Sequence, residues 1–313
     1  MDALVGLLDG PRARGAFALR SVMEPPWSIR IQDGAPLTLM AVVRSDAWVA
    51  PAVGEPVRLG PGDVAVARGP EPYVVGDDPA TAPQVVIHPG QRCTTPEGVP
   101  VSQAMDLGVR TWGDDPEGSS VLLVGTYQQV GAVGQRLLDV LPPLVVLPDD
   151  DWESPLVPLL AREIVRDEPG QEVVLDRLLD LVLVAVLRAW FSRTEGAAPG
   201  WFRGHGDPVV GRALRLMQNN PAHPWTVASL AGATGVSRAA LARRFTALVG
   251  EPPMAYLTGW RLALAADLLT EPGATVASVA RRVGYGSAFA LSAAFKRERG
   301  ESPTEHRERR RAG

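Results

Sequence analysis

The chain has 313 residues, of which 46% are hydrophobic, so it is long and apolar enough for two domains with buried cores and is neither disordered nor collagen-like. Its one cysteine, Cys93, excludes an intrachain disulfide and a cysteine-based zinc cluster. The formal net charge of −4 is unevenly distributed: residues 200–313 contain 16 Lys+Arg against 8 Asp+Glu, and residues 1–199 contain 15 against 27. A basic segment of this kind suits a chain in which one part meets phosphate, but by charge alone a chance skew explains it equally well.

Neither a signal peptide nor a membrane span is predicted. The first residues, MDALVGLLDGPRARG, lack the basic-then-apolar order of a secretory signal. The most apolar stretch, 173–191, is interrupted by charged residues, and its longest uncharged run, 181–187, is far too short to cross a bilayer. We therefore expect a cytoplasmic protein with no membrane association.

Residues 27–127 consist of short apolar runs separated by Gly, Pro and Asp, which predict strands. Short strands with frequent turn signals are typical of a small barrel or sandwich. One such turn is Pro-Gly-Asp at 61–63, between two of the predicted strands. The predicted strands are 27–31, 37–43, 47–52, 57–60, 63–67, 84–88 and 119–127.

The pattern becomes helical after residue 137. A Pro/Asp-rich bridge, LPPLVVLPDDDWESP, precedes a predicted helix at 156–166, and a second helix at 172–191 is apolar around much of its circumference. The second helix either packs against the front domain or forms a dimer seam; both remain open because the flanking charges of a heptad seam are missing. Residues 195–208 have the composition of a linker.

The C-terminal third is predicted to be helical and contains an internal repeat. The segment TVASLAGATGVS (226–237) returns as TVASVARRVGYGS (275–287), and repeats that share core and cap positions indicate a duplicated supersecondary unit. Thr226 and Ser237 are predicted to cap two successive helices, and Gly235 is predicted to end the first in the left-handed conformation. Two helices joined in this way form a helix-turn-helix, whose second helix can enter a major groove.

The second copy assigns the same capping roles to Thr275 and Ser287, with a Gly-Tyr-Gly turn before Ser287. A continuous helix at 257–269 is predicted to lie between the copies and to hold them at a fixed separation. A single copy would be equally compatible with an ordinary helical hairpin bearing a solvated arginine face. The duplication favours two DNA-reading units, at 226–249 and 275–299.

The region from residue 207 to residue 310 resembles the AraC/XylS family of bacterial transcription regulators. The matching motifs are WTVASLA (225–231), GVSRAALARRF (235–245), RLALAADLL (261–269), VASVARRVGYGS (276–287) and GESPTEHR (300–307). The resemblance covers about a third of the chain. It implies a sequence-specific transcription regulator whose partner is double-stranded promoter DNA, with RNA polymerase as a further partner if the protein is an activator.

The resemblance also implies roles for single residues. Arg243 matches an arginine that contacts a base, and Arg238 is expected to contact a phosphate or a base edge. Where this chain has Ala288, Phe289 and Ala293 the family often has polar residues, so Phe289 is expected to touch thymine methyl groups or merely to pack. The first unit is thus expected to carry most base reading and the second mainly to position the protein. The predicted DNA-binding residues are Ser237, Arg238, Ala239, Ala242, Arg243, Arg244, Ser287, Phe289, Ser292, Lys296 and Arg297.

Residues 1–145 resemble the cupin-like sensory domains that are fused to many AraC-type regulators. The resemblance implies a small β-barrel that holds a small-molecule effector or serves assembly, with a homodimer as the expected state. Cupin enzymes bind metal through clustered histidines, but Met40 and Tyr73 stand where related domains carry histidine and His88 is alone in this region. No metal, cofactor or catalytic residue is therefore predicted. The matching motifs are PPWSIR (25–30), PGD (61–63), RGP (68–70) and LLDVLPPL (137–144).

Four aromatic residues of this region, Trp27, Trp48, Tyr73 and Trp112, are predicted either to line an effector pocket or to fill the barrel core. Cys93 follows His88 by five residues. The two are either a sensor of metal or oxidant or ordinary residues at strand ends.

The sequence thus predicts an α+β chain of two domains. A cupin-like barrel occupies 1–145, a helical linker suited to dimerisation 146–204, and an all-α DNA-binding domain 205–313. The predicted function is effector-responsive transcription regulation without enzymatic activity. The alternatives are a DNA-binding regulator whose front domain only oligomerises, and a cupin metalloenzyme fused to a DNA-binding module.

Overall fold

The computed structural model describes residues 16–312, apart from 129, 153 and 194–197. Contacts divide the described residues into two compact units. The strand unit comprises residues 16–128 and 141–193, and the helical unit comprises residues 130–140 and 198–312. This division differs from the predicted boundaries at 145 and 204. Most of the predicted linker folds with the strands, whereas a short helix within the predicted barrel domain, α1 (Ala132–Leu138), folds with the C-terminal helices.

The strand unit consists of two six-stranded sheets that share an apolar core. The strands are β1 (Ala16–Met23), β2 (Ser28–Ile31), β3 (Leu37–Arg44), β4 (Ala47–Pro51), β5 (Val57–Leu59), β6 (Val64–Arg68), β7 (Tyr73–Gly76), β8 (Val85–His88), β9 (Arg92–Thr94), β10 (Thr111–Gly113), β11 (Ser120–Tyr127) and β12 (Leu144–Leu147). The first sheet has the order β10-β1-β11-β3-β6-β12, and the second has the order β5-β4-β7-β2-β8-β9. The two-domain α+β architecture that was predicted is confirmed.

Two helices, α2 (Leu156–Glu163) and α3 (Gln171–Arg193), pack against the first sheet. Leu179 of α3 lies so close to β11 that a Cβ at Gly125 would be 2.6 Å from a Leu179 methyl carbon, so this approach requires glycine. Burial of one side of α3 agrees with the first of the two predicted roles for this helix. Its other side remains exposed, with Val173 62% and Leu181 49% accessible.

All seven predicted strands are confirmed within a residue or two. β12 corrects the prediction of an irregular bridge after residue 140. Val145 and Leu147 are buried and pair with β6, and the prolines on either side of this short strand hid it in the sequence. The linker predicted at 195–208 contains a further helix, α4 (Gly200–His205), which packs in the helical unit.

The helical unit contains both predicted helix-turn-helix units, and both are confirmed. Its remaining helices are α5 (Val210–Asn219), α6 (Val227–Thr234), α7 (Arg238–Val249), α8 (Pro253–Leu268), α9 (Val276–Arg282), α10 (Ala288–Arg299) and α11 (Pro303–Ala312). The first unit is α6 and α7, and the second is α9 and α10. The connecting helix α8 begins four residues before its predicted start at 257, because Pro253 occupies its first turn, where a missing N–H costs nothing.

Hydrogen bonds to one carboxylate link helix α1 to α8. Asp267 accepts hydrogen bonds from the backbone N–H groups of Ala132 and of Val133 (3.1 Å for Val133), the first two amides of α1. The N-cap residue of α1, Gly131, has no side chain that could do this, so Asp267 supplies the cap from another helix. Burial raises the pKa of Asp267, although these two hydrogen bonds work to lower it. The segment that the chain inserts between β11 and β12 is thus physically part of the helical unit.

No helix among the described residues is both long and apolar enough to span a bilayer.

Candidate nucleic-acid interface

Both helix-turn-helix units begin with the same reciprocal cap. The Thr226 hydroxyl accepts a hydrogen bond from the backbone N–H of Ser229 (3.0 Å), and the Ser229 hydroxyl accepts one from the backbone N–H of Thr226 (2.8 Å). Thr275 and Ser278 make the same pair of bonds at the start of α9, each 3.1 Å long. Because these caps satisfy backbone groups that a helix leaves unpaired, they fix the residues at which α6 and α9 begin.

The turn between α6 and α7 is closed by glycine and serine, as predicted. Gly235 adopts φ 74° and ψ 26°, the left-handed conformation that glycine accepts without steric cost. The Ser237 hydroxyl then accepts a hydrogen bond from the backbone N–H of Ala240 (3.2 Å), which starts α7. The direction in which the first reading helix leaves the turn is therefore encoded locally.

The second turn is one residue longer than the first. Thr226 and Ser237 are 11 positions apart, whereas Thr275 and Ser287 are 12 apart. Gly284 adopts φ 84°, and a Cβ there would lie 2.8 Å from the Cα of Ala222, so both conformation and space require glycine. Ser287 nevertheless caps α10 as Ser237 caps α7, accepting a hydrogen bond from Ala290 N–H (3.1 Å).

Each reading helix is anchored by a leucine and a phenylalanine four residues apart. Leu241 and Phe245 of α7, and Leu291 and Phe295 of α10, are fully buried. Residues at this spacing lie on one side of a helix, so the opposite side of each helix faces solvent. That solvent-facing side is the candidate DNA-binding surface.

The exposed side of α7 carries cationic residues. Arg238 and Arg243 are exposed, and the ion pairs of the described residues include neither of them. Ala239 between them is exposed and Ala242 is half-buried, so nothing bulky shields the two guanidinium groups. Ala239 and Arg243 lie on the side of α7 opposite Leu241 and Phe245, Ser237 and Arg238 are exposed at its N-terminal end, and Ala242 is half-buried.

The exposed side of α10 differs from that of α7 at equivalent positions. Residues 50 apart correspond, so Phe289 stands where α7 has Ala239, and Ala293 stands where α7 has Arg243. The Phe289 side chain is 83% accessible, which leaves it free to contact another molecule. Ser287, Lys296 and Arg297 are also exposed, and Ser292 is half-buried. The second reading surface is thus apolar at its start and basic at its end.

Arg244 differs from Arg238 and Arg243 in that its guanidinium is paired with a carboxylate. Its Nε and Nη2 atoms lie 2.7 and 2.6 Å from the same carboxylate oxygen of Asp207. Asp207 also accepts hydrogen bonds from the backbone N–H groups of Val209 and Val210 (2.9 Å each), at the start of α5. Arg244 therefore ties α7 to α5, and its predicted role as a DNA contact stays a prediction. Asp207 stands just before a proline, where an N-cap is expected, so the sequence offered a signal for half of this pair.

The charge state of Asp207 follows from the same contacts. Burial works to raise its pKa, but hydrogen bonds from Val210 N–H and from the Arg244 guanidinium outweigh burial and lower the pKa below its usual value. The pair is therefore ionised at neutral pH.

Three of the four aromatic residues predicted to line an effector pocket belong to the apolar core of the strand unit or pack against it. Trp27 is 1% accessible and belongs to the apolar core of the strand unit, and Tyr73 and Trp112 pack against that core. Trp48 does not join them, because on β4 it alternates with the inward-facing Ala47 and Val49. Trp48 is thus the one of the four that lies outside this core.

Cys93 and His88 lie on opposite faces of the second sheet and so do not form a pair. Cys93 belongs to the apolar core, and burial raises the pKa of its thiol, which makes it a weak nucleophile. His88 faces outward, with its Nε2 atom 2.9 Å from the hydroxyl of Thr94. Among the described residues, no group of three or more His, Cys, Asp or Glu side chains is arranged to hold a metal ion.

Two capped helix-turn-helix units joined by one buried helix, in a chain that also carries a two-sheet domain, define a DNA-binding regulator. Comparison with known proteins identifies its family. Residues 2–192 match the family model described as Cupin, and residues 230–309 match the one described as Helix-turn-helix domain. A putative AraC-like transcription regulator of Streptomyces lividans is 36% identical over 313 residues, 98% of each chain. One of Streptomyces antibioticus is 33% identical over 314 residues, again 98% of each. The chain belongs to the AraC-like transcription regulators.

A solved structure of related sequence covers only the C-terminal part. It is the DNA-binding domain of AdpA, the global transcriptional factor, in complex with a target DNA. The match is 32% identical and covers 34% of this chain and 95% of that one. The TM-score is 0.32.

The Arg244–Asp207 pair predicts that Arg244→Ala lowers stability rather than sequence discrimination. We expect a loss of about 1 kcal/mol in the unfolding of the helical unit, since Arg244 is half-exposed. Because the pKa of Asp207 is lower in the folded than in the unfolded chain, the pair stabilises above about pH 4, and its contribution is lost as pH falls through the folded value. Urea titrations at neutral and at acidic pH measure this, and the deficit of the variant should shrink in acid.

Arg243→Ala is the matched control, since it removes the neighbouring exposed guanidinium. It should leave the urea midpoint unchanged. A deficit for Arg244→Ala that is independent of pH would contradict the role assigned to Asp207.

Proposed function

We propose that the first helix-turn-helix unit supplies most of the base discrimination and that the second mainly positions this AraC-like transcription regulator on DNA. The observation that supports this division is the difference between the two exposed helix faces at equivalent positions. The first presents two unpaired guanidinium groups on α7, and the second presents a phenyl ring followed by basic residues on α10.

The chemistry of the two faces suits these roles. An arginine on a helix in the major groove can donate two hydrogen bonds to O6 and N7 of guanine, which distinguishes this base from the others. Arg243 is free to do so, whereas its counterpart in the second unit, Ala293, has no donor. Lys296 and Arg297 lie at the C-terminal end of α10, away from the N-terminal residues with which a recognition helix contacts base edges, so they suit phosphate contacts.

The main test compares Arg243→Ala with Arg281→Ala, which removes an exposed arginine from α9. Arg243→Ala should cost roughly 1–3 kcal/mol at one base pair and relax discrimination there. Arg281→Ala and Lys296→Ala should weaken binding to all sequences alike and reduce the dependence of affinity on salt. Binding to a library of operator variants at several salt concentrations measures both effects. Unchanged selectivity of Arg243→Ala would disprove the assignment of α7.

Phe289 generates a separate prediction. If its exposed ring packs against a thymine methyl group, replacing that thymine by uracil in the operator removes the contact without changing base pairing. Uracil substitution at one position should then weaken the wild-type protein by about 1 kcal/mol, the order of one buried methyl group, and should not weaken Phe289→Ala. Equal sensitivity of both proteins to uracil at every position would exclude this contact.

We also propose that a small-molecule effector bound by the strand unit controls DNA binding, in a cytoplasmic, nucleoid-associated protein that is not an enzyme. Trp27 and Trp112 support an interior ligand site, since neither buried indole N–H has an acceptor among the described residues. The exposed side of α3, with Val173, Val174 and Leu181, supports a homodimer. Two measurements separate effector binding from the alternative in which this unit only oligomerises. The melting temperature is measured with each compound of a metabolite library, and the molecular mass is measured at several protein concentrations. A concentration-dependent mass without any thermal shift would favour the alternative.

A contiguous set of contacts supports coupling from α1 to the first reading helix. The Arg136 guanidinium of α1 lies over the Tyr256 ring of α8, 5.4 Å from its centroid. The Tyr256 ring in turn packs edge-on against Phe245, at 5.8 Å between centroids, and Phe245 is the buried anchor of α7. Since α1 is joined at both ends to strands of the other unit, a change in those strands has a covalent path to this stack.

Arg136→Ala is therefore expected to weaken operator binding by roughly 0.5–2 kcal/mol although Arg136 is outside both reading units. Arg203→Ala removes one exposed positive charge from α4 of the same unit and serves as the control for charge alone. Fluorescence anisotropy with labelled operator measures both. Equal losses in the two variants would show that charge, and not the stack on Tyr256, accounts for the effect.

A further inference from the structure

The outer face of the second sheet carries an ordered polar patch across β2, β8 and β9. Arg30 pairs in register with Val86, and Val86 pairs with Thr94, so these three side chains form one row across the strands. His88 pairs with Arg92 in the next row. The residues that alternate with them, among them Ile29, Val85 and Cys93, belong to the apolar core. The patch therefore faces away from the core.

The patch forms the floor of a cleft of about 420 Å³. Val86 and Thr94 face outward and are nevertheless only 8% and 1% accessible, because Pro83 and the loop at 95–98 rise beside them as walls. Clefts of this volume are of the size that small-molecule ligands occupy. An outward-facing sheet surface that is walled in this way is a built site rather than open surface.

The cleft is electropositive within an acidic part of the chain. Arg30 and Arg92 line it, the ion pairs of the described residues include neither, and none of its lining residues is acidic. This contrasts with the excess of 27 Asp+Glu over 15 Lys+Arg in residues 1–199. The carboxylate of Glu97, in the wall loop, is exposed and accepts a hydrogen bond from Thr95. The two guanidinium groups thus present free donors at opposite corners of the floor.

The His88 ring between these corners is fixed in orientation. Its Nε2 atom lies 2.9 Å from the Thr94 hydroxyl, and its Nδ1 atom lies 3.2 Å from Nε2 of Gln32. A ring held on both nitrogens offers a flat, partly buried surface between two cations. The strands that carry Arg30 and Arg92 are separated by β8 alone, which puts their backbones about 10 Å apart.

We propose that this cleft binds a small organic molecule bearing two oxyanion groups, each held by one of the two arginines. Guanidinium groups form paired, charge-assisted hydrogen bonds with carboxylate or phosphate, and two of them across one cleft select for a ligand with two such groups. The site is distinct from the proposed interior ligand site and from the candidate DNA-binding surface, so it goes beyond the proposed function and stands independently of it.

Calorimetric titration of the full chain tests the proposal, with citrate and succinate as probes that carry more than one carboxylate and acetate as the single-carboxylate comparison. Citrate or succinate should bind and acetate should bind much more weakly. Arg30→Gln and Arg92→Gln should each reduce the affinity about tenfold or more. Arg58→Gln is the matched control, because Arg58 is an exposed arginine of the same sheet on β5, paired with Asp46 outside the cleft. Glu97→Gln should strengthen binding, since it removes a nearby negative charge.

The NMR signals of the His88 ring provide a second readout, which should shift on citrate addition while those of His223, exposed in the helical unit, do not. Thermal unfolding of each variant checks that it is folded. Absence of binding by both citrate and succinate, or an equal loss in Arg58→Gln and Arg30→Gln, would overturn the proposal.

Discussion

One buried helix, α8, sets the geometry on which DNA reading depends. Its buried residues, including Tyr256, Trp260 and Leu262, are distributed around nearly the whole circumference, as in a helix that is enclosed by others. Five helices of the same unit contact it: α1, α5, α7, α9 and α11. Close-packed interiors transmit displacements, so a shift at any of these contacts changes how α8 separates the two reading helices. That separation must match the helical repeat of DNA.

The two helix-turn-helix units share the residues that fold them and differ in those that they expose. The Thr–Ser reciprocal cap, the Ser cap of the reading helix and the buried Leu–Phe anchor are present in both copies. The exposed positions have diverged: Arg243 of the first copy corresponds to Ala293 of the second, and Ala239 corresponds to Phe289. A duplicated unit can change its surface in this way because capping and anchoring do not use the exposed positions. Sequence preference can therefore be tuned in one unit without loss of fold in the other.

The sequence predicted the features that depend on near neighbours. The caps at Thr226 and Ser237 involve residues three positions apart, and strand alternation repeats every two residues, so both can be recognised locally. Pairs of residues far apart in the sequence were not predicted. Asp267 accepts a hydrogen bond from an amide 135 positions away, and Arg244 pairs with Asp207, which is 37 positions away. No periodic pattern in the sequence identifies such a pair of residues. Trp48 was grouped with the interior aromatic residues because tryptophan is apolar, although Ala47 and Val49 occupy the inner face of β4.

The contact between Asp267 and α1 joins the segment inserted between two strands to the connecting helix α8. Burial of the carboxylate disfavours its charged form, as the raised pKa shows, while two backbone hydrogen bonds stabilise it. In the chain, α1 lies between β11, which is central in its sheet, and β12, which is at the edge of the same sheet, so the backbone connects this contact to both strands.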